Sequence, residues 1–221
     1  MTATAQKAYK GMGMEGSMAR WYEKTTRRSM EDFRRLASRL ESLAPAGGDF
    51  LEVAPGPGFL SVEMARRRQF RVTGLDISRT FVQIARKNAA EAGVIADFHQ
   101  GSASEMPFPA DRFDLLVCRA AFKNFSRPEQ ALREMHRVLR PGGTGIIIDL
   151  RHGVPMAEIE RHVDGMGLNL WNRWFTLLSF RCLLLRRAYT PEVMEAMLAR
   201  IPFRKAEVRT ADIGMEIWFE K

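Results

Sequence analysis

The chain has 221 residues, 46% of them hydrophobic and 27% charged, the composition of one ordinary globular domain with room for a sizeable core. No uninterrupted apolar run is long enough to cross a bilayer and the N-terminal residues hold no signal-peptide core, so a cytoplasmic protein is expected; two cysteines, Cys118 and Cys182, exclude a disulfide framework and show no zinc-ligand spacing, so no metal is expected. The formal charge of +8 is scattered over helical segments, which argues for a solvated surface and against a nucleic-acid partner.

Residues 1–17 show no sustained period and read as a flexible arm. Met18 to Arg28 is helix-compatible and carries Trp21 and Tyr22, which pack on the core or cover a bound ligand. Ser29, with Asp32 in a capping-box-like position, opens a helix striped by Met30, Phe33, Leu36, Ala37, Leu40 and Leu43. The chain is organised around the stretch from Phe50 to Asp76. Phe50 to Ala54 is a short apolar strand, Gly56-Pro57-Gly58 turns the backbone sharply, a helix comes next, and a second strand ends in Asp76. Glycines let bare backbone approach a ligand, and a carboxylate eighteen residues beyond Gly58 stands where nucleotide-binding folds hold a ribose. An adenosine derivative is the expected ligand. A dinucleotide fingerprint needs a third glycine where this chain has Ser61, which disfavours a nicotinamide oxidoreductase.

Ser78 then caps a helix that Gly93 stops, Ile95 to Gln100 is a third strand, and Phe113 to Cys118 a buried fourth. A helix opened by Ser126 and Pro128 ends at Arg140-Pro-Gly-Gly, before a strand from Thr144 to Leu150. Leu168 to Arg187 has strong helical patterning, Thr190-Pro191 starts a helix to Arg200, and Lys205 to Thr210 and Ile213 to Glu220 form an antiparallel hairpin. The expected fold is α/β: a doubly wound, Rossmann-like seven-stranded sheet with a C-terminal antiparallel hairpin and a helical substrate cap. It is one domain, with an N-terminal arm and helices (1–45), a cofactor-binding core (46–150), a cap insertion (151–189) and a final helix and hairpin (190–221).

The run E-x-A-x-G-x-G from Glu52 to Gly58 resembles motif I of the class I S-adenosylmethionine methyltransferases. The stretches MPFPADRFD before the fourth strand and RVLRPGG before the fifth resemble the central block of their small-molecule members, so the similarity covers about residues 50–150. The resemblance implies S-adenosylmethionine as cofactor and S-adenosylhomocysteine as product. It places Glu52, Ala54 and Gly56, with the turn glycine Gly58, against the methionine part, Asp76 on the ribose hydroxyls and Ile77 against adenine. Ser102 and Ala103 replace a usual Asp-Ala pair beside the adenine, and the Arg119 backbone meets the cofactor.

Phe122-Lys123-Asn124-Phe125 resembles a run of the ubiquinone/menaquinone-biosynthesis C-methyltransferases, with Lys123 where those carry Arg. This implies either a pocket cation that stabilises a phenolate or a surface lysine beside a loop-fixing Asn124. His152 follows the fifth strand at the ligand edge, as a candidate general base or a plain loop histidine. Tyr22, Asn124, Trp171 and Arg181 are the candidate acceptor contacts. The apolar face of the 168–187 helix, with Trp171, Trp174 and Phe175, is expected to be buried as a cap over the pocket, Arg181 facing its mouth. Membrane docking is the other reading of that helix, and a membrane-lipid methyltransferase the other enzymatic reading. The partner is a small apolar or aromatic acceptor; the oligomeric state is not readable.

Overall fold

The computed structural model describes residues 9–10, 13–67, 70–165, 170–180 and 185–221, without the side chains of Leu170, Asn172, Phe175 and Ser179. Its centre is a seven-stranded sheet of β1 (Asp49–Val53), β2 (Arg71–Asp76), β3 (Ala96–Gln100), β4 (Phe113–Arg119), β5 (Leu139–Leu150), β6 (Lys205–Ala211) and β7 (Gly214–Glu220), in the order β3-β2-β1-β4-β5-β7-β6. The first five run parallel, β7 pairs antiparallel with β5, and β6 closes the hairpin.

Alternation along the central strands sends neighbouring side chains to opposite faces. Phe50, Leu115 and Ile146 join Phe33, Ala37 and Leu40 of α2 (Met30–Leu40) and Leu60 and Met64 of α3 (Phe59–Ala65) in one core layer. Leu51, Leu116 and Ile147 join Leu132 and Met135 of α5 (Pro128–Val138) and Met194 and Leu198 of α9 (Pro191–Leu198) in the other. Both faces are therefore covered, as a parallel sheet requires. The chain runs outward from β1 through β2 to β3 and returns to β4 on the other flank, so the strand order reverses beside β1. The carboxyl ends of β1 and β4 flank the crevice where such sheets bind ligands.

The helix signals mostly act as read. Ser78 accepts a hydrogen bond from the Phe81 N–H at 3.1 Å and caps α4 (Arg79–Glu91), and Thr190 does the same for α9. Ser29 does not cap α2: its side chain makes no capping bond, and Asp32 pairs with Arg35 instead. The first helix, α1, spans Gly16–Thr26 rather than Met18 to Arg28, a 3-10 turn taking over at Arg27–Ser29.

One larger correction concerns the N-terminal arm. The described part of the arm is docked. Tyr9 bridges Phe125 antiparallel, Lys10 donates its N–H to the Asn124 carbonyl at 2.7 Å, and the Glu15 carboxylate accepts from the Arg79 and Thr80 N–H groups at the start of α4. The insertion after β5 carries α6 (Met156–Asp164) and, within the stretch of helical patterning over 168–187, α7 (Leu170–Ser179) and the helical turn α8 (Leu185–Arg187). Phe180 and Leu185 pack with Ile159, Val163 and Ile213 in a small separate core at the end of β5 and the hairpin.

Candidate active site

The site is built where β1 and β2 end. Residues 54–58 leave β1 through three left-handed positions, Ala54, Gly56 and Gly58, with φ of 57°, 54° and 77°. The two glycines have different tasks. A Cβ on Gly58 would lie 2.8 Å from the Ala85 Cβ, so its bareness lets α3 pack on α4. A Cβ on Gly56 would meet only the Tyr22 ring, 3.9 Å away, so Gly56 leaves bare backbone facing the space beneath α1.

Two buried acids border this turn. Asp76 ends β2 and accepts hydrogen bonds from the Gly56 N–H at 3.0 Å on one oxygen and the Ser78 N–H at 2.8 Å on the other. Burial nevertheless lifts its carboxyl to about 6, these bonds pulling the other way. Glu52 on β1 accepts the Ser61 hydroxyl at 2.5 Å, and burial lifts it to about 7 against the pull of Ser61 and the Arg119 charge. Both carboxylates are thus desolvated beyond what the protein compensates. Donors from a ligand, a diol at Asp76 and a cation near Glu52, would complete them, which is how S-adenosylmethionine fits these residues.

The remaining expected cofactor residues are spread along the same edge. Ile77 follows Asp76 and is exposed, its carbonyl taking a hydrogen bond from the Gln100 amide at 3.3 Å. Ser102 and Ala103 are half-buried in the turn after β3, where the Ser102 hydroxyl accepts from the Ser104 N–H at 3.2 Å and so holds its own turn. Arg119 ends β4 with its guanidinium over the Phe33 ring, 4.6 Å from the centroid. Tyr22 of α1 packs edge-on against Phe81 at 5.8 Å and roofs the Gly56 turn.

On the β4–β5 side the structure reassigns residues. Lys123 is neither a surface lysine nor an open pocket cation: it is buried, its Nζ 2.6 Å from Asp149 and donating also to the Ala120 carbonyl at 2.8 Å. Asp149, at the end of β5, takes the Lys123 and Leu150 N–H groups as well. The pair locks the loop after β4 to β5. Asn124 meets the strap Tyr9–Lys10 through its carbonyl. His152 is exposed, its N–H donating to the Tyr189 carbonyl at 2.9 Å, and its ring makes no hydrogen bond to a described residue. Trp171 is 84% exposed and Trp174 61% exposed, so the expected burial of these two side chains does not occur. Arg181 lies outside the described residues.

Sequence reasoning missed Tyr9. The strap carries it across the strand ends, held by Asn124 and Phe125 on one side, while Lys10 donates to the Tyr189 hydroxyl at 2.8 Å and Arg187 to the Lys10 carbonyl at 3.2 Å on the other. Burial raises the Tyr9 phenol, opposed by the charge of Arg187 and reinforced by the nearby Asp76 and Asp149. It stays protonated at neutral pH. The only signal was the Tyr9-Lys10 pair itself in a stretch without period. Ser126 adds a buried hydroxyl with no hydrogen-bond partner among the described residues. Among those residues no cluster of His, Cys, Asp and Glu could hold a metal ion.

The fold is Rossmann-like, the one shared by solved structures described as S-adenosylmethionine-dependent methyltransferases. Residues 51–147 match the family described as "Methyltransferase domain", the segment that holds β1 through most of β5. Among curated relatives, the demethylmenaquinone methyltransferase of Deinococcus radiodurans is 34% identical over 116 residues, 52% of this chain and 48% of that protein. The ubiquinone/menaquinone biosynthesis C-methyltransferase UbiE of Roseobacter denitrificans is 32% identical over 136 residues, 59% of this chain and 54% of that protein. The chain thus spans about half the length of these relatives. A solved structure from Methanococcus maripaludis, described as a candidate S-adenosyl-L-methionine-dependent methyltransferase, shares the fold over 96% of this chain and 95% of that one, with a TM-score of 0.72 and 22% identity.

Proposed function

We propose that this chain is a methyltransferase that transfers the methyl group of S-adenosylmethionine to a small apolar or aromatic acceptor, with quinol-type rings as the leading acceptor class. One observation carries the reading: two uncompensated buried carboxylates, Glu52 and Asp76, border a left-handed turn whose Gly56 backbone lies bare beneath Tyr22. The names of the matched relatives support the acceptor class, as does the Phe122–Phe125 run.

When bound, the cofactor supplies an already activated methyl group on a sulfonium. The chain's own residues then have to hold reactants in line, exclude water and steady the acceptor. Tyr22 and the Tyr9–Lys10 strap close the edge over the turn. The Tyr9 phenol donates to an acceptor oxygen as the ring becomes nucleophilic, the task the sequence resemblance gave to the cation at position 123. The exposed His152 ring follows β5 and is the candidate general base for an acceptor that must lose a proton.

Calorimetry with S-adenosylhomocysteine and with NAD tests the cofactor; tighter NAD binding overturns the reading. A screen of naphthoquinols and simple phenols with methyl-labelled S-adenosylmethionine tests the acceptor. Label transfer only to acceptors without an aromatic ring would remove the quinol class and leave the methyltransferase.

A further inference from the structure

The outward face of α7 is unusual for a covered helix. Trp171, Trp174 and Leu178, spaced i, i+3 and i+7 on one side, are 84%, 61% and 41% exposed, while Leu177 leans on the small core of Phe180 and Leu185. The largest apolar side chains of the insertion therefore point away from the protein. Met18 and Trp21 of α1, 39% and 61% exposed at i and i+3, form a second such patch. α1 stands over the Gly56 turn through Tyr22, and the end of the insertion reaches the strap through Arg187 and Tyr189, both hydrogen-bonded to Lys10.

Basic residues outnumber acids in both segments, 165–191 and 16–28. From residue 165 to 191 the sequence contains four arginines, at 173, 181, 186 and 187, and no acid. Arg173 is engaged by Asp164 at 2.6 Å, whereas Arg186 and Arg187 are exposed. On α1, Arg20 and Lys24 are exposed beside Trp21, and Glu23 is paired with Arg27. Contiguous exposed apolar surface marks an interaction site. Tryptophans rimmed by cations suit the boundary between acyl chains and anionic headgroups. A second copy of this chain fits worse, because the excess of basic residues in both segments would meet its own copy across a two-fold axis.

We propose that the Trp171–Trp174–Leu178 face of α7, assisted by Met18 and Trp21, docks the chain on the surface of an anionic phospholipid bilayer, with the strap and the candidate active site turned toward it. The attachment is peripheral, since no helix among the described residues is long and apolar enough to cross a membrane. Its purpose, admitting an apolar acceptor directly from the bilayer, rests on the methyltransferase reading; the docking itself does not.

The test is sedimentation of the full chain with vesicles of phosphatidylcholine alone and of phosphatidylcholine with phosphatidylglycerol, at low and high salt. Binding to the anionic vesicles is expected, at least about tenfold weaker at high salt or without phosphatidylglycerol. The Trp171→Ser/Trp174→Ser variant should lose it while keeping S-adenosylhomocysteine affinity, which shows that the variant is folded. No binding of the wild type, binding indifferent to the two substitutions, or a concentration-dependent dimer that the same substitutions dissolve each overturns the proposal. Intact S-adenosylhomocysteine binding without vesicle binding removes the docking and leaves the proposed activity; vesicle binding without cofactor binding does the reverse.

Discussion

The two halves of the sheet's carboxyl edge are assembled in different ways. The cofactor half, at β1 and β2, comes from one contiguous stretch, Phe50 to Ser78, in which each acid is held by backbone or hydroxyl donors from the same stretch. The half beside β4 and β5 is stitched from four separated segments: the Tyr9–Lys10 strap, the turn at Phe122–Asn124, the end of β5 and the residues 187–189. The contiguous half is fixed by local turn geometry and buries two carboxylates that have hydrogen bonds but no ion pair among the described residues. The stitched half is fixed by long-range bonds, its buried charges paired as Lys123 with Asp149. A buried carboxylate without an ion pair is what a cationic or hydroxyl-bearing ligand answers, so the comparison supports the proposed cofactor place in the first half and a scaffold for the acceptor in the second.

Breaking the stitched half should have the largest effect. Lys123→Met leaves Asp149 buried and uncompensated, and about 3–5 kcal/mol of unfolding free energy should be lost in urea melts. The double variant Lys123→Met/Asp149→Leu should recover part of that loss. A Lys123→Met protein of wild-type stability but without turnover would return Lys123 to the pocket.

The next effect belongs to the contiguous half. Asp76→Ala removes the acceptor of the Gly56 and Ser78 N–H groups together with the expected ribose contact. S-adenosylhomocysteine affinity should fall by about 1–3 kcal/mol in calorimetry. An unchanged affinity would mean that the end of β2 is not the ribose site.

Proton linkage sharpens the same point. Glu52 and Asp76 titrate at about 7 and about 6 in the folded chain, above their ordinary values. The folded state then binds more protons than the unfolded one between about pH 4 and 7, and the ligand-free protein should lose stability as pH rises through that window. Ligand binding that requires both acids ionised should run the other way, S-adenosylhomocysteine affinity rising at least about tenfold from about pH 5 to 8. Glu52→Gln should flatten the stability slope and raise the melting temperature of the ligand-free protein at about pH 8 by roughly 2–4 °C.

The smallest expected effect tests the strap. Tyr9→Phe keeps the ring and removes the donor, so kcat should fall by about 0.5–1.5 kcal/mol in barrier with cofactor affinity unchanged. Equal loss in kcat and in S-adenosylhomocysteine binding would place Tyr9 in the cofactor half instead.

Much of the cofactor half was legible because its determinants are local. An apolar run, Gly56-Pro57-Gly58 and a terminal Asp76 specify strand, turn and strand through backbone preferences that neighbouring residues impose on each other, and Ser78 caps α4 by the same short-range logic. The distinction between Gly56 and Gly58 was not legible, because it depends on Ala85 arriving from another helix.

By itself the sequence determined the alternating α/β order, the hairpin and the place of Glu52 and Asp76 on either side of the turn, since periodicity and turn chemistry act over a few residues. The tertiary structure alone decided three things: that Lys123 is neutralised by Asp149, that Tyr9 reaches the strand ends, and that Trp171 and Trp174 face outward. An amphipathic stripe shows that a helix has an apolar face, but what covers that face is set by partners far along the chain. For α7 the small core at Phe180 and Leu185 holds the opposite side and leaves the tryptophans outside.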